Sequence, residues 1–242
     1  LKIKVFTTAS GLYRQYIPVF SRCIEIAYPN YEVDIMELDE VLTPYEANCR
    51  RFVHEPSGDW DYCYVTDVDM MILREDPMLH EIHLAEMKET GLCYSNIPRS
   101  TERRGTERLT GLHFASREWY RRTAEVRKRY ENMIDAGAMG NRDIDDELML
   151  MQICRKSGLK IDIHRPLIKR HHGIHLGTIR GKKDRRTYQE IKSAIFSRVT
   201  SAMAAKWQEI LLCGVNDAIA TVRDPMVKWQ FEILDKLTRV RG

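Results

Sequence analysis

Tyr62-Cys63-Tyr64-Val65-Thr66-Asp67-Val68-Asp69-Met70-Met71-Ile72-Leu73 is the stretch on which the reading of this chain turns. A short apolar run rich in β-branched and aromatic residues reads as a buried strand. Inside it stand two carboxylates at i and i+2, which extended backbone places on the same side. Two like charges that close repel one another and resist desolvation unless a cation or donor compensates. A hard divalent ion takes oxygen ligands, and Mg²⁺ typically uses one or two carboxylates together with substrate phosphates. The stretch therefore predicts the exit of a central strand, built to hold a metal-bound phosphorylated ligand. The plainer alternative is that Asp67 and Asp69 only begin a solvated turn.

Upstream, Ile3-Lys4-Val5-Phe6-Thr7-Thr8 is strand-like and runs into the small-residue turn Ala9-Ser10-Gly11. A helix is expected over 13–27, with Tyr16, Val19, Phe20, Cys23 and Ile24 on one stripe. Tyr31 to Leu38 alternates as a second strand before Asp39. Thr43 then caps a helix with Pro44 at its first position, carrying Asn48, Arg50 and Arg51 towards the turn Pro56-Ser57-Gly58. Downstream of the paired acids come a helical stretch opened by Pro77 and strands over 91–95 and 109–115. Alternation of strand and helix implies an open α/β sheet, where ligands gather beyond the carboxyl ends of the strands. Asp67 and Asp69 lie where such a ligand would sit.

The second half differs in texture. A charged helix is predicted over 116–133, a flexible break over 136–141, a helix over 143–156, and a short strand over 160–163. The segment 168–186, rich in His, Gly and basic residues, reads as a loop. From Tyr188 to Val240 the pattern is mostly helical, interrupted near Gly214 and Pro225. A boundary near residue 186 would separate a catalytic domain, 1–186, from a helical C-terminal extension, 187–242, that packs on it.

The 242 residues are 43% hydrophobic and 30% charged, enough for one large core. No run approaches the length of a membrane span, and the N-terminus lacks the layout of a signal peptide. Leu1 is not an initiator Met, so an excised domain or processed chain is expected. Six scattered cysteines without a C-x-x-C pair read as reduced thiols of a cytoplasmic protein. The net charge of +3 is too small to imply nucleic acid, although basic residues cluster near 99–108, 117–129 and 169–186. A solvated basic face accounts for these; anionic lipid, phosphate or nucleic acid is the alternative.

Two further groups carry chemistry. His171-His172-Gly173-Ile174-His175-Leu176-Gly177-Thr178-Ile179-Arg180 sets three histidines within five residues. Neutral imidazole suits a borderline ion such as Mn²⁺, and glycine lets backbone approach a ligand. Arg180, Lys182 and Lys183 follow, placed to meet phosphate oxygens. Asp143-Ile144-Asp145-Asp146-Glu147 opens a helix. Acids in a first turn complement the helix dipole, but four in five residues exceed what capping requires.

Together, Asp67-Val68-Asp69 after an apolar strand and the late His175 to Arg180 element resemble the metal-dependent GT-A glycosyltransferases. The late element is similar to the His-x-x-Gly-x-x-Lys motif of the glycogenin and galactosyltransferase-like group, one residue shorter and with Arg for Lys. The resemblance covers roughly residues 2–183. It implies a GT-A-like (Rossmann-like) mixed sheet flanked by helices. The implied activity is transfer of a sugar from a nucleoside-diphosphate sugar, UDP favoured, to a glycan or glycolipid acceptor. It further implies Mn²⁺ or Mg²⁺ held by Asp67, Asp69 and a late histidine, His175 first and His172 next. Thr7, Thr8 and Ala9 would border base and ribose, Tyr13 would stack on the base, and Asp39 would hydrogen-bond base or ribose. Arg51, Val68, Arg180 and Lys182 would complete the donor site, with Asp67 also facing the ribose. Asp145 or Asp146 would contact the donor sugar or take the acceptor proton, and His113 and Phe114 would line the acceptor site.

Two rivals stand beside this reading. Haloacid-dehalogenase-like phosphatases also place Asp-x-Asp after a strand. In them, however, Thr or Val normally stands where this chain has Met71, and the motif belongs to the first strand. A non-catalytic nucleotide or polyanion module explains the basic clusters and leaves the acids and histidines without a purpose. The basic helical C-terminal part is a candidate for docking on a membrane or on another domain of a larger protein. The implied setting is cytoplasmic polysaccharide biosynthesis.

Overall fold

The computed structural model describes residues 1–38, 44–99, 107–139, 146–161, 172–178 and 200–239. The chain forms two compact units. One comprises Leu1–Gly11, Glu32–Asp67 and Pro77–Arg170; the other comprises Leu12–Tyr31, Val68–Asp76 and His171–Gly242.

The first unit is built on a five-stranded sheet in the order β2-β1-β3-β8-β5. Its strands are β1 (Ile3–Ser10), β2 (Tyr31–Leu38), β3 (Tyr62–Val65), β5 (Tyr94–Ser95) and β8 (His113–Ser116). β1 and β3 run parallel, pairing Phe6 with Val65, whereas β8 is antiparallel to both β3 and β5. A mixed α/β sheet flanked by helices, as expected, is therefore what these residues form. The two-residue period decides which helix covers which face. Phe6, Cys63, Val65 and Ala115 share a core with residues of α2 (Pro44–Val53), α4 (Arg117–Asp135) and α5 (Asp146–Lys156). On the alternate positions, the rings of Tyr64 and Phe114 meet His83 of α3 (Leu79–Thr90) at 5.7 and 4.8 Å. A short pair, β6 (Pro98–Arg99) and β7 (Arg108–Leu109), sets Arg99 opposite Arg108.

The predicted strand through Leu73 is two strands. β3 stops at Val65, Val68 and Asp69 form a turn, and β4 (Met70–Ile72) begins in the second unit. There β4 pairs antiparallel with β9 (Gly173–His175), inside the segment that the sequence predicts as a loop. The predicted strands over 91–95 and 109–115 contract to β5 and to β7 and β8. The first helix is α1 (Ile17–Ala27), preceded by a 3-10 turn over Gly11–Tyr16. α1 packs on β4, with Cys23 Sγ 4.0 Å from Met71 Sδ.

The described residues from 200 onward are mostly helical: α6 (Ser201–Ile210), α7 (Asn216–Ala220) and α8 (Pro225–Arg239). Gly214 takes φ +96° at the kink between α6 and α7, a conformation suited to glycine. Trp207 of α6 stacks with Phe231 of α8 at 6.4 Å. All six cysteines are free thiols. Among the described residues, no helix is long and apolar enough to cross a membrane.

Candidate functional site

In the first unit, β3 delivers the chain to Asp67. The Thr66 amide donates to Phe6 carbonyl oxygen at 3.1 Å, and Thr7 Oγ1 donates to Thr66 carbonyl oxygen at 2.8 Å, which fixes the strand's exit. Arg51, on α2 and only 3% exposed, lies across that exit. Its Nη1 donates to Asp67 Oδ1, and its Nη2 to Asp146 Oδ2 at 2.6 Å. Burial opposes the guanidinium charge, but the two carboxylates more than offset it and the Arg51 pKa is raised. A Cβ on Gly111 would lie 2.8 Å from Arg51 Nη2, so glycine there leaves the guanidinium its passage.

Glu147, next to Asp146, accepts from Arg108 Nε at 2.6 Å and Arg99 Nη1 at 3.2 Å. The cross-strand arginine pair, which would repel alone, thus shares one carboxylate. Burial raises the Glu147 pKa, with Arg99 and Arg108 pulling the other way. Asp146 and Glu147, the described acids of the α5 start, thus serve Arg51, Arg99 and Arg108.

In the second unit, Asp69 is 3% exposed and its Oδ1 stands 3.2 Å from His175 Nε2. The β4–β9 register brings them together: Met70 pairs with His175, and the Leu176 amide donates to Asp69 carbonyl oxygen at 2.9 Å. Two glycines make this possible. A Cβ on Gly173 would sit 2.0 Å from Met71 carbonyl oxygen, so only glycine allows the strands so close. A Cβ on Gly177 would sit 2.7 Å from His175 Nε2 and 3.0 Å from Asp69 Oδ2, filling the space that both ligand atoms border.

Within the second unit, Asp69 and His175 can each offer a divalent ion one ligand atom. A hard carboxylate oxygen and an imidazole nitrogen suit Mn²⁺ or Mg²⁺. The cradle kept open by Gly177 fits that donor set. His172 turns elsewhere: it is buried and its Nδ1 lies 2.5 Å from Glu75 Oε2. His171 lies outside the described residues.

The remaining expected residues divide by burial. Thr7, Ala9 and Val68 are buried. Thr8 Oγ1 is half-buried and donates to Ala47 carbonyl oxygen at 3.0 Å. Tyr13 is exposed, with its ring 5.7 Å from that of Tyr16. His113 and Phe114 present no surface to an acceptor in this structure. Both are 0% exposed, and His113 packs against Phe52, Tyr94 and Trp119. Burial drives the His113 pKa down to about 3, the mark of a neutral core histidine. Asp39, Asp145, Arg180 and Lys182 lie outside the described residues.

Sequence reasoning passed over Glu75, Gln230 and the arginine pair around Glu147. Gln230 carried the one usable signal, an amide on the largely apolar stripe of a helix. Its significance depends on the fold, because Oε1 accepts from Tyr16 of the opposite end of the chain.

No family model and no curated protein matches the sequence. Solved structures resemble it distantly. The apo form of the glycosyltransferase GlyE of Streptococcus pneumoniae TIGR4 is 11% identical over 67% of this chain, with a TM-score of 0.42. The galactosyltransferase LgtC, in complex with donor and acceptor sugar analogues, is 14% identical over 61% of this chain, with a TM-score of 0.36. The 4-diphosphocytidyl-2C-methyl-D-erythritol synthase of Anaerococcus prevotii DSM 20548 is 10% identical over 80% of this chain and 96% of its own, with a TM-score of 0.40. The match covers only 45% of GlyE and 69% of LgtC. None of these likenesses carries an activity over to this chain.

Proposed function

We propose that this chain is a metal-dependent glycosyltransferase moving a sugar from a nucleoside-diphosphate donor to a hydroxyl of a glycan or glycolipid. The observation that carries the reading is the buried Asp69 carboxylate beside His175, with Gly177 keeping the space around both ligand atoms clear. In the proposal Asp67, Asp69 and His175 hold one Mn²⁺ or Mg²⁺. That ion, when bound, supplies Lewis-acid neutralisation of the charge that develops on the departing nucleoside diphosphate.

The chain's own residues do the rest. Arg51 fixes the rotamers of Asp67 and Asp146 through its two donors, so that neither carboxylate must reorganise when donor arrives. Tyr13, with exposed ring area, stacks on the base, and backbone at Thr7 to Ala9 borders the ribose with Asp39. Arg180 and Lys182 bind phosphate oxygens. Asp146 has Oδ2 committed to Arg51, so it orients that group, and removal of the acceptor proton falls to Asp145. UDP is the favoured nucleotide. In this proposal 1–186 is the catalytic part and the C-terminal helices are an extension of it.

Release of UDP from UDP-sugars tests the reading. Turnover with Mn²⁺ that stops on chelation and in Asp69→Ala supports it; release unaffected by either rejects it. Phosphatase turnover of simple phosphomonoesters would replace it with the dehalogenase-like alternative.

A further inference from the structure

The C-terminal helix α8 lies far along the chain from the paired acids, yet it places a side-chain amide within the second unit's core. Gln230 is 3% exposed, on a face that also carries Val227, Phe231, Leu234, Leu237 and Thr238. A buried amide surrounded by apolar neighbours persists only where its hydrogen bonds are met. Its Oε1 accepts from Tyr16 Oη, and its Nε2 points at the Leu176 carbonyl oxygen at 3.5 Å.

Leu176 is the residue after His175, and its own amide is the donor to Asp69 carbonyl oxygen at 2.9 Å. One peptide segment is thus held from both sides: its N–H ties it to the backbone of Asp69, and its C=O faces the α8 amide. Tyr16 also packs its ring 6.2 Å from Phe231, next to Gln230.

The ladder that brings His175 to Asp69 is only three residues long. So short a ladder defines orientation weakly by itself, and the turn that follows it must be fixed by other contacts. We infer that Gln230, itself held by Tyr16, is a positioning residue for the cation site: through Leu176 it sets the distance between Asp69 and His175. The inference rests on the metal-site reading above. It assigns to the C-terminal helix a part in cation affinity, with no contact to the ion itself. Ligand-orienting groups of this kind, when removed, typically weaken metal affinity 10–100-fold.

The test uses Gln230→Met, which keeps the side chain's length and removes both polar functions. Leu237→Val serves as the control, since it trims a buried residue of the same helix outside this network. Two quantities are read: Mn²⁺ affinity, by the spin-resonance signal of free ion, and hydrogen exchange of the Leu176 amide in metal-free protein. Gln230→Met is expected to weaken Mn²⁺ about tenfold and to speed exchange at Leu176. Leu237→Val is expected to lower Tm while leaving both within about twofold. A Gln230→Met protein with lower Tm but unchanged affinity and exchange would overturn the inference, as would equal losses in Leu237→Val. If the wild-type chain takes no Mn²⁺ or Mg²⁺, the metal-site reading fails by itself. Exchange at Leu176 then decides alone: faster exchange in Gln230→Met keeps the positioning role, and unchanged exchange removes it.

Discussion

Asp69 and His175, 106 positions apart in the sequence, stand 3.2 Å apart because Met70 and His175 are partners in one antiparallel ladder. A strand following directly on the paired acids thus recruits a strand from the histidine-rich segment. The neighbouring acid, Asp67, is held by Arg51 instead. Two carboxylates that read as equivalent in the sequence therefore have different local partners, an imidazole for one and a guanidinium for the other.

Gly177→Ala tests the cradle. The added methyl would lie 2.7 Å from His175 Nε2 and 3.0 Å from Asp69 Oδ2, so the ligand atoms must give way. The expected outcome is Mn²⁺ affinity lowered about tenfold or more, with a small change in Tm. Unchanged affinity by calorimetry would show that the space is not used by an ion.

Arg51 offers a second test. Arg51→Met leaves Asp67 and Asp146 without their shared buried counter-charge, and a loss of about 3–5 kcal/mol is expected in urea unfolding. Arg51→Lys keeps the charge but lacks the planar fork that reaches both acids, so a loss of about 1–3 kcal/mol is expected. Equal stability of wild type and Arg51→Met would mean that the paired contacts contribute nothing.

His113 predicts a pH dependence. Its folded-state pKa is depressed to about 3 by burial, below the ordinary value of 6.5. The unfolded chain therefore binds the proton first on acidification. Stability associated with His113 is complete above about 6.5 and is lost as pH falls towards 3, at up to about 1.4 kcal/mol per pH unit. His113→Phe removes this slope without orphaning Asn96, whose Nδ2 also donates to Thr110 carbonyl oxygen at 3.0 Å. The measurement is unfolding free energy of both proteins from pH 7 to 5, above the range where carboxylates titrate. Parallel curves would place His113 in contact with solvent.

Much of this architecture is legible in the sequence, and the exceptions have physical causes. Tyr31 to Leu38 is a strand with the bounds that its alternation predicts, the break at Gly214 falls at the kink between α6 and α7, and Pro225 opens α8. The apolar run through Leu73 misled because hydrophobicity continues across the turn at Val68 and Asp69 while the hydrogen-bond partner changes from β1 to β9. β9 itself is three residues long and contains a glycine, so no periodicity marks it. Of the site, Asp69 and His175 were visible as residue types suited to a metal, since chemistry alone singles them out. The resemblance favours His175 over His172, and His175 is the histidine beside Asp69; the residues alone leave that choice open, because it depends on register. Glu75 was invisible for the same reason, and Gln230 showed only as an amide on a largely apolar stripe: a lone polar residue gains meaning from what the fold brings against it. His113 and Phe114 show the converse. Ring types that suit sugar contact suit a core equally well, and here the core has them.

The measurement that tests the central claim most directly is calorimetric titration of UDP, with GDP, CDP and dTDP beside it, each in Mn²⁺ and in EDTA. Wild type is expected to bind one nucleotide, UDP foremost, only with Mn²⁺, and Asp69→Ala is expected to lose that binding while remaining folded. Binding that is indifferent to EDTA and to Asp69→Ala, or no binding of any of the four, would contradict a metal-dependent nucleotide-sugar site.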